Sequence, residues 1–334
     1  MNELELIARL TRALPTNKTV VTGAGDDCAV LDLGVPDKLI LFKTDAVVEG
    51  IHFTLETPPE KIGRKALARC LSDIAAMAGT PTAALVTIAL PAAPKRSEGG
   101  PEKFDAEFVA KIYDGINALA REHGVAIAGG ETTTNPGRIL ISISLLGTVP
   151  RGKQVLRSGA KVGDAIFVTG ELGGSLAEKH LDFEPRLAEA RWLAEHFSIH
   201  AMIDLSDGLA GDLRHILQAG GVGAEILKSA IPTSRAAKSG GARLLTNGLA
   251  GTHAPPGSPK PALLAALTDG EDFELLFTIT GKDAVKLLDA WKKKFPKLKL
   301  SCIGKIVAGE GILIRDKSSS HKLNAGGYVH FSKP

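Results

Sequence analysis

The segment Leu39-Ile40-Leu41-Phe42-Lys43-Thr44-Asp45 joins an apolar run to a carboxylate. Its aliphatic and aromatic side chains predict a strand over residues 39–44. Asp45 is then expected at the point where this strand ends. A carboxylate in that position can serve a site at the edge of a sheet, and the same arrangement recurs along the chain.

Further carboxylates adjoin apolar runs or nearby glycines: Asp26 and Asp27 after Gly25, Asp73 in Leu71-Ser72-Asp73-Ile74, Glu131 after Gly129-Gly130, and Asp204 and Asp207 around Leu205-Ser206. Carboxylates that converge repel one another unless cations lie between them. Such hard oxygen ligands suit Mg²⁺, which proteins hold with a few carboxylates and substrate phosphates. The set predicts a metal-dependent enzyme that handles phosphates. For any single residue, the alternative is that it caps a helix or forms a turn.

Length and composition are those of a soluble globular protein. The 334 residues exceed one ordinary core and favour two domains. The chain is 44% hydrophobic and 23% charged. Its formal net charge of +3 gives no electrostatic basis for binding nucleic acid or a membrane.

The cysteines and the N-terminal segment indicate the compartment. Cys28, Cys70 and Cys302 are far apart, show no zinc-binding spacing and suit a reducing environment. The acidic N-terminal residues lack the apolar core of a signal peptide. No apolar stretch approaches the ~18 residues of a membrane span. We therefore expect a cytoplasmic protein with no membrane partner.

The first 150 residues have the pattern of an α+β domain. Hydrophobic periodicity predicts helices over 3–14, 59–78 and 104–123 and strands over 39–44, 85–90, 125–128 and 139–149. The segment 91–101, with its prolines and glycines, is expected to be an exposed loop. Elements in this order place helices on one face of a sheet. The first domain is predicted to cover residues 1–150.

Residues 151–334 are predicted to form a second domain from similar parts. Strands are expected over 164–169, 199–203 and 273–279, and helices over 206–218 and 282–295. Ser206 or Asp207 is expected to cap the first of these helices. Gly170, Gly173 and Gly174 are expected to lead into another helix, and 238–261 to form a long loop. Leu-Ser-Asp at 71–73 and 205–207 hints at related halves.

The usual phosphate-binding motifs of kinases are absent from the sequence. The glycine-rich segment Gly170-Glu171-Leu172-Gly173-Gly174-Ser175 lacks the lysine of a P-loop, and a strand-to-helix turn explains it equally well. Phosphates would then be neutralised by metal ions on the carboxylates, with help from isolated arginines such as Arg157.

Six segments carry a family resemblance: Gly25-Asp26-Asp27-Cys28-Ala29-Val30, Thr44-Asp45-Ala46-Val47-Val48-Glu49-Gly50-Ile51-His52-Phe53, Leu71-Ser72-Asp73-Ile74-Ala75-Ala76-Met77, Gly129-Gly130-Glu131-Thr132-Thr133, Asp204-Leu205-Ser206-Asp207-Gly208-Leu209 and Gly270-Glu271-Asp272-Phe273-Glu274-Leu275-Leu276-Phe277. Together with the ending Gly327-Tyr328-Val329-His330-Phe331, this ordered set resembles the thiamine-monophosphate kinases. The Val-Glu-Gly-x-His-Phe element is the most specific part. The aspartates and Ser-Asp-Gly are shared more widely with the aminoimidazole ribonucleotide synthetase superfamily.

This resemblance implies an ATP-dependent phosphoryl transfer to thiamine monophosphate that gives thiamine diphosphate. It implies an aminoimidazole ribonucleotide synthetase-like fold, with an N-terminal α+β domain whose mixed sheet dimerises and a C-terminal α/β domain. Nucleotide and Mg²⁺ ions would lie in the cleft between the domains, near the partner of a homodimer. Because the acceptor is already an anionic phosphate, no general base and no catalytic side chain is expected, only positioning and charge neutralisation.

Motif matches with the family assign roles to individual residues. The implied Mg²⁺ ligands are Asp27, Thr44, Asp45, Asp73, Glu131, Asp204 and Asp207. The implied ATP contacts are Tyr113, Gly130, Glu131, Arg157 and Ser206. The implied thiamine monophosphate contacts are His52, Glu271 and Tyr328, and an aromatic face such as that of Tyr328 can stack on a cationic heterocycle.

Two departures from the family pattern concern the site. Glu131 stands where Asp is usual, and Ala78 separates the usual Ala-Met from Gly79. Neither change removes a required carboxylate. The alternatives are another ATP-dependent small-molecule synthetase or kinase of the superfamily, or a non-catalytic nucleotide-binding regulator. The intact acidic set argues against a regulator, because clustered carboxylates without a ligand would lower stability.

Overall fold

The structure is a computed structural model that describes residues 3–91, 106–177, 179–239, 260–317 and 319–323. It contains two β-sheets with helices packed on them. In chain order the elements are α1 (Glu3–Thr11), β1 (Val20–Thr22), β2 (Ala29–Leu31), β3 (Lys38–Val48), α2 (Pro59–Ala76), β4 (Thr80–Pro91), α3 (Ala106–Glu122), β5 (Ala126–Asn135), β6 (Leu140–Pro150), β7 (Asp164–Thr169), α4 (Leu187–His196), β8 (Ile199–Asp204), α5 (Leu209–Gly220), β9 (Gly223–Leu227), α6 (Arg235–Lys238), α7 (Ala262–Thr268), β10 (Leu275–Thr280), α8 (Ala284–Lys294), β11 (Leu300–Val307), β12 (Gly311–Arg315) and β13 (Ser320–Lys322).

The first sheet has the strand order β1-β2-β3-β6-β4-β5. Its strands pair antiparallel except β4 and β5, which are parallel, so the sheet is mixed. Strand β3 pairs with β6 along its whole length, from Lys38 opposite Pro150 to Val48 opposite Leu140. This continuous pairing fixes which side chains of β3 share a face.

The two faces of the first sheet differ in exposure. Alternation along β3 turns Leu39 and Leu41 into the core, whereas Phe42 on the other face is 44% exposed. Leu85 and Leu146 are also exposed and lie on the same outer face as Phe42. One face of this sheet therefore packs on helices, and none of the described residues covers the other face.

Helices α2 and α3 cover the inner face and approach each other closely at two glycines. A Cβ atom on Gly63 would lie 1.8 Å from the main-chain oxygen of Ile112, and one on Gly115 would lie 1.8 Å from that of Glu60. Any larger residue at either position would push the helices apart. The glycines thus allow the backbone contact that fixes α2 against the sheet.

The second sheet is also mixed, with the order β13-β12-β9-β11-β7-β10-β8. Only β9 and β12 pair in parallel. The larger apolar core extends across both halves of the chain, since it contains Leu67 and Leu71 of α2 together with Phe167 of β7 and Phe277 of β10. Helix α2 therefore packs against both sheets and carries its side chains to the junction between them.

Most elements predicted from the sequence are present, with three corrections. Strand β3 continues to Val48, so Asp45 lies inside the strand rather than at its end. Helix α5 begins at Leu209 after Gly208 and has no side-chain cap, so Ser206 and Asp207 do not cap it. The glycine-rich segment leads only into a short 3₁₀ turn at Ser175–Ala177. Most of the predicted loops 91–101 and 238–261 lies outside the described residues.

The sequence patterns missed several short elements: β1, β2, α4, β9, α6, α7, β11, β12 and β13. Among the helices that the structure describes, none is both long and apolar enough to cross a membrane.

Candidate active site

Three buried carboxylates meet where the two halves of the chain join. Ligand oxygens of Asp27, Asp73 and Asp204 all lie within 4.8 Å of one another. Asp27 follows the turn before β2, Asp73 lies in the last turns of α2, and Asp204 is the last residue of β8. We call these three residues the acidic centre. It is shared between the halves, because Ser72 donates a hydrogen bond of 2.6 Å to Asp204.

Cationic side chains offset part of this negative charge. The Nζ atom of Lys43 lies 2.8 Å from Asp73, and the guanidinium of Arg157 pairs with Asp27. The main-chain N–H of Arg157 also donates to Asp26. Arg157 thus approaches the acidic centre from the C-terminal half and Lys43 approaches it from strand β3.

Burial and the negative charge that these cations leave unbalanced raise the pKa values of carboxylates in and beside the acidic centre. Burial and the neighbouring Asp27 raise the pKa of Asp204 to about 6, and they raise that of Asp26 to about 6 as well. Burial together with Asp204, Asp45 and Asp27 raises the pKa of Asp73 well above its usual value, although Lys43 opposes the shift. The cations present therefore leave the carboxylates under-neutralised.

The donor set fits a divalent cation. One oxygen of Asp27, Oδ2, is buried and has no hydrogen-bond partner among the described residues. A buried, unpartnered carboxylate oxygen beside two further carboxylates is the environment that a bound cation would satisfy. Mg²⁺ prefers such oxygen ligands, so the acidic centre can hold it.

A second network links α2 to the loop that precedes β10. The guanidinium of Arg69 lies 2.8 Å from Asp45 and 2.9 Å from Glu271. The Nζ atom of Lys65 pairs with Glu271 and also donates to the main-chain oxygen of His52, at 2.8 Å. Two cations of α2 thus bring one residue implied as a metal ligand together with two implied as substrate contacts.

This network fixes the charge state of its members. Burial alone would raise the pKa of Glu271, but Lys65 and Arg69 lower it to about 2. Burial and the cation of Arg69 lower the pKa of His52 to about 4, so its imidazole is neutral near pH 7. His52 accepts a hydrogen bond from the main-chain N–H of Val48 at Nδ1, which places its proton on Nε2.

Ser206 and Asp207 lie in the loop between β8 and α5. The main-chain oxygen of Ser206 accepts a hydrogen bond of 2.7 Å from Glu271, which joins this loop to the network of α2. The main-chain N–H of Asp207 donates to Asp212, a buried residue in the first turn of α5. Asp207, Asp212 and His215 form a second group of closely spaced ligand atoms.

Three implied site residues lie away from the acidic centre in the single chain. Thr44 faces the outer side of the sheet, where its hydroxyl lies 3.4 Å from that of Ser142. Gly130 and Glu131 lie on the edge strand β5, and Glu131 is exposed. Thr44 and Glu131 are three strand spacings apart, roughly 14 Å. Within one chain the structure does not bring them to Asp27, Asp73 and Asp204.

Two further residues, implied as contacts of ATP and of thiamine monophosphate, remain to be placed. Tyr113 is half-buried on α3 and packs on the larger core. Tyr328 lies outside the described residues.

The donors of the glycine-rich segment are already engaged. The N–H of Gly173 donates to both oxygens of Asp272, at 3.0 Å, and the N–H of Gly174 donates to Asp269, also at 3.0 Å. The hydroxyl of Ser175 also donates to Asp272. These contacts favour a structural turn over a cradle for phosphate.

Sequence reasoning missed four polar residues of the site: Lys43, Lys65, Arg69 and Asp212. For three of these residues, their spacing in the sequence relative to the predicted aspartates could have indicated a place in the site. Lys65, Arg69 and Asp73 follow one another at intervals of four, which places them on one face of a helix. Lys43 and Asp45 are two residues apart in a strand and share a face.

The comparisons with known proteins agree with one another. Residues 25–149 match the family model of the AIR synthase related protein N-terminal domain. The chain is 37% identical to the thiamine-monophosphate kinase of Rhodopirellula baltica, over 96% of this chain and 93% of the relative. It is 32% identical to the enzyme of the same name from Escherichia coli K12, over 99% of each chain.

Solved structures support the fold over its full length. A structure described as AaThiL complexed with AMPPCP and TMP has a TM-score of 0.75 and 28% identity, and the match covers 99% of this chain and 97% of that one. The hydrogenase maturation protein HypE of Escherichia coli has a TM-score of 0.67 at 21% identity over 96% of each chain, which shows a common fold. The expected aminoimidazole ribonucleotide synthetase-like architecture is therefore confirmed.

Proposed function

The chain belongs to the thiamine-monophosphate kinase family, and we propose on this basis that it phosphorylates thiamine monophosphate with ATP to give thiamine diphosphate. It is accordingly a phosphotransferase whose acceptor is a phosphate group. A relative of the same fold was solved as a complex with AMPPCP and TMP, so one architecture accommodates a triphosphate analogue and the second ligand together.

The observation that carries this proposal within the structure is the acidic centre at the junction of the two halves. Asp27, Asp73 and Asp204 are buried and close, and they are only partly neutralised by Lys43 and Arg157. A site of this kind can bind divalent ions, and the bound ions can in turn bind phosphate groups. A helix cap or a turn would not require three buried carboxylates from three separate elements.

We assign Mg²⁺ to the acidic centre and to the neighbouring Asp45 and Asp207. When bound, Mg²⁺ would neutralise the phosphate oxygens between which the γ-phosphoryl group moves. Thr44 and Glu131 remain proposed ligands, and their place on the outer face of the sheet means that they would act where a second subunit docks.

Contacts with the substrates are proposed from the network around α2 and from the loop before α5. Arg157 and Ser206 would contact ATP, as would Tyr113 and Gly130. His52, Glu271 and Tyr328 would contact thiamine monophosphate. Because Lys65 and Arg69 hold Glu271 ionised and fixed, its carboxylate can orient a cationic ligand without a change in protonation.

The chemistry required of the side chains is positioning and charge neutralisation. The phosphate of the acceptor is an anion near neutral pH, so no side chain needs to remove a proton from it. His52 is neutral at that pH and presents a proton on Nε2, which suits a hydrogen-bond donor better than a base. We therefore propose direct transfer without a covalent phosphoenzyme.

We further propose a cytoplasmic homodimer made of domains 1–150 and 151–334. The uncovered outer face of the first sheet, which includes Phe42, Leu85 and Leu146, supports this proposal because contiguous exposed apolar surface favours association. A dimer through this face would also place Thr44 next to the partner subunit.

The function can be tested by incubating the purified protein with ATP, Mg²⁺ and thiamine monophosphate and separating the thiamine compounds by chromatography. Thiamine diphosphate should form in step with ADP. Thiamine in place of thiamine monophosphate is the matched control and should give no product. ATP hydrolysis at the same rate with and without thiamine monophosphate, with no diphosphate formed, would refute the proposal.

A further inference from the structure

Lys43 is a cation built into strand β3 beside the acidic centre. Alternation along β3 turns it to the same face as Leu39, Leu41 and Asp45, towards helix α2. Its Nζ atom donates a hydrogen bond of 2.8 Å to Oδ1 of Asp73. The Lys43 side chain is 23% exposed and that of Asp73 is 9% exposed, so the pair lies mostly out of water.

The ammonium group interacts with two of the implied metal ligands rather than one. It is hydrogen-bonded to Asp73 and attracted electrostatically by Asp45. Arg157 serves Asp27 from the C-terminal half, and Arg69 serves Asp45 from the side of Glu271. Lys43 therefore interacts with both Asp45 and Asp73, and it lies on the face of β3 that is turned towards helix α2.

The acidic centre still has capacity for a cation elsewhere. Oδ2 of Asp27 is buried without a hydrogen-bond partner among the described residues, and the Asp27 side chain is fully buried. Lys43 interacts with Asp73 and Asp45, whereas the unsatisfied oxygen belongs to Asp27. The site thus has one position filled by a side-chain ammonium and another that is open to an ion.

Resting on the function proposed above, we propose that Lys43 is a permanent cation of the acidic centre. Its ammonium group takes the place of one divalent ion between Asp45 and Asp73 and contacts the bound phosphates. A lysine ammonium is a compact charge with three donors, so it can hold Asp73 and still donate to a phosphate oxygen. A side chain attached to a sheet strand also cannot diffuse away when Mg²⁺ is scarce.

The test is to count bound ions. Wild type, Lys43→Thr and Lys43→Arg are loaded with Mn²⁺ and a non-hydrolysable ATP analogue, and free Mn²⁺ is measured by electron paramagnetic resonance. Threonine is favoured in strands and removes the charge of Lys43. Its smaller side chain leaves space for a metal ion, and its hydroxyl oxygen can serve as a ligand. We expect Lys43→Thr to bind about one more Mn²⁺ ion per chain at saturation than wild type, because the carboxylate pair then needs another cation. Lys43→Arg keeps the charge and should match wild type.

An equal count in wild type and Lys43→Thr would overturn the proposal, because Lys43 would then be a counter-ion that metals displace. If Lys43→Thr does not fold even in Mn²⁺, Lys43→Met keeps the apolar stem. The expected result for Lys43→Met is about tenfold weaker binding of the ATP analogue, and unchanged binding would overturn the proposal. Formation of thiamine diphosphate by wild type is scored separately, so failure of the inference is distinct from failure of the function.

Discussion

The guanidinium of Arg69 on helix α2 lies 2.9 Å from the carboxylate of Glu271 in the loop before β10. The same guanidinium lies 2.8 Å from Asp45, and Lys65 one turn earlier also pairs with Glu271. Helix α2 therefore ties the implied substrate residue of one half to the implied metal ligand of the other. A ligand bound at either position would act on a shared set of charges.

The buried pair of Lys65 and Glu271 should contribute strongly to stability once formed. Lys65→Met removes the ammonium from a fully buried site and leaves Glu271 paired with Arg69. Breaking one partner of a buried ion pair costs about 3–5 kcal/mol, and we expect the lower end of that range because Arg69 remains. Urea unfolding measures this change.

Lys61→Met is the matched control for Lys65→Met. Lys61 lies one turn earlier on α2 and pairs with Asp182, but both side chains are largely exposed, at 44% and 48%. The loss of an exposed pair should cost less than about 1 kcal/mol. Equal destabilisation by the two variants would show that the buried network has no special role.

Asp73→Asn and Asp45→Asn should both reduce turnover, by on the order of a hundredfold or more, because each removes a charge from the metal site. Their effects on the metal-free protein should differ. Burial and neighbouring carboxylates raise the pKa of Asp73, so Asp73→Asn should hold or raise Tm. Burial opposes ionisation of Asp45 as well, but Arg69 lowers its pKa overall, so Asp45→Asn should lower Tm.

Steady-state turnover and metal-free melting, measured on the same preparations, test both parts of this expectation. Asp32→Asn is a suitable control, since Asp32 pairs with Arg151 at the surface, away from the acidic centre. Full activity in Asp73→Asn and Asp45→Asn would show that these residues are structural.

The metal-free protein should lose stability through Asp204 as pH rises. Burial and Asp27 raise the pKa of Asp204 from 3.8 to about 6. A carboxyl group whose pKa is raised on folding favours the folded state below its unfolded pKa and loses that contribution as pH rises through the folded value. Wild type should therefore weaken relative to Asp204→Asn between about pH 4 and about pH 7, by on the order of 2–3 kcal/mol.

Chemical unfolding of both proteins in chelator, across that pH range, measures the difference. Asn can still accept the hydrogen bond from Ser72, so the comparison isolates the charge. A difference in unfolding free energy that does not change with pH, or that reverses sign, would contradict the raised pKa of Asp204.

Phe42→Asp should convert the proposed dimer to a monomer. Phe42 is 44% exposed on the outer face of the first sheet, and a carboxylate there would be buried without a partner in the interface. Val285→Asp on α8 is the control, because Val285 is 71% exposed on the other half of the chain. Light scattering at micromolar concentration should give a dimeric mass for wild type and the control, and a monomeric wild type would exclude this interface.

Ala78→Gly should stabilise the protein. Ala78 has a φ of +57°, in the left-handed region, and lies two residues beyond the end of α2. A residue with a Cβ is strained there by roughly 1–2 kcal/mol, and the greater flexibility of glycine in the unfolded chain offsets part of the gain. We expect a net gain of about 0.5–1 kcal/mol in urea unfolding, whereas a loss would show that the Cβ of Ala78 contributes packing that outweighs the strain.

The long elements could be predicted from the sequence because the hydrophobic pattern of each one lies within its own residues. Helices α2 and α3 and strand β6 repeat hydrophobic residues at the period of their own structure, and strands β7 and β8 contain continuous apolar runs. Short strands such as β1, β2 and β13 have only three residues each. Their pairing depends on distant neighbours, so a local pattern could not reveal them.

The site was predicted by residue type better than by position. Asp27, Asp73 and Asp204 converge as a set of carboxylates at element ends would suggest. Thr44 and Asp45 are adjacent in sequence yet face opposite sides of β3, because a strand alternates its side chains. That consequence becomes visible only when the strand is known to continue beyond Asp45 to Val48.

The hydrogen bond from Ser72 to Asp204 affects which chimeras of two genes of this family can form a working site. A crossover near residue 150 would take Ser72 and Arg69 from one parent and Asp204 and Glu271 from the other. Chimeras of that kind should retain an intact acidic centre only when both parents carry compatible partners at these positions. Crossovers within the C-terminal sheet, after Asp204 and Glu271, would leave the matched pairs together and should be tolerated more often.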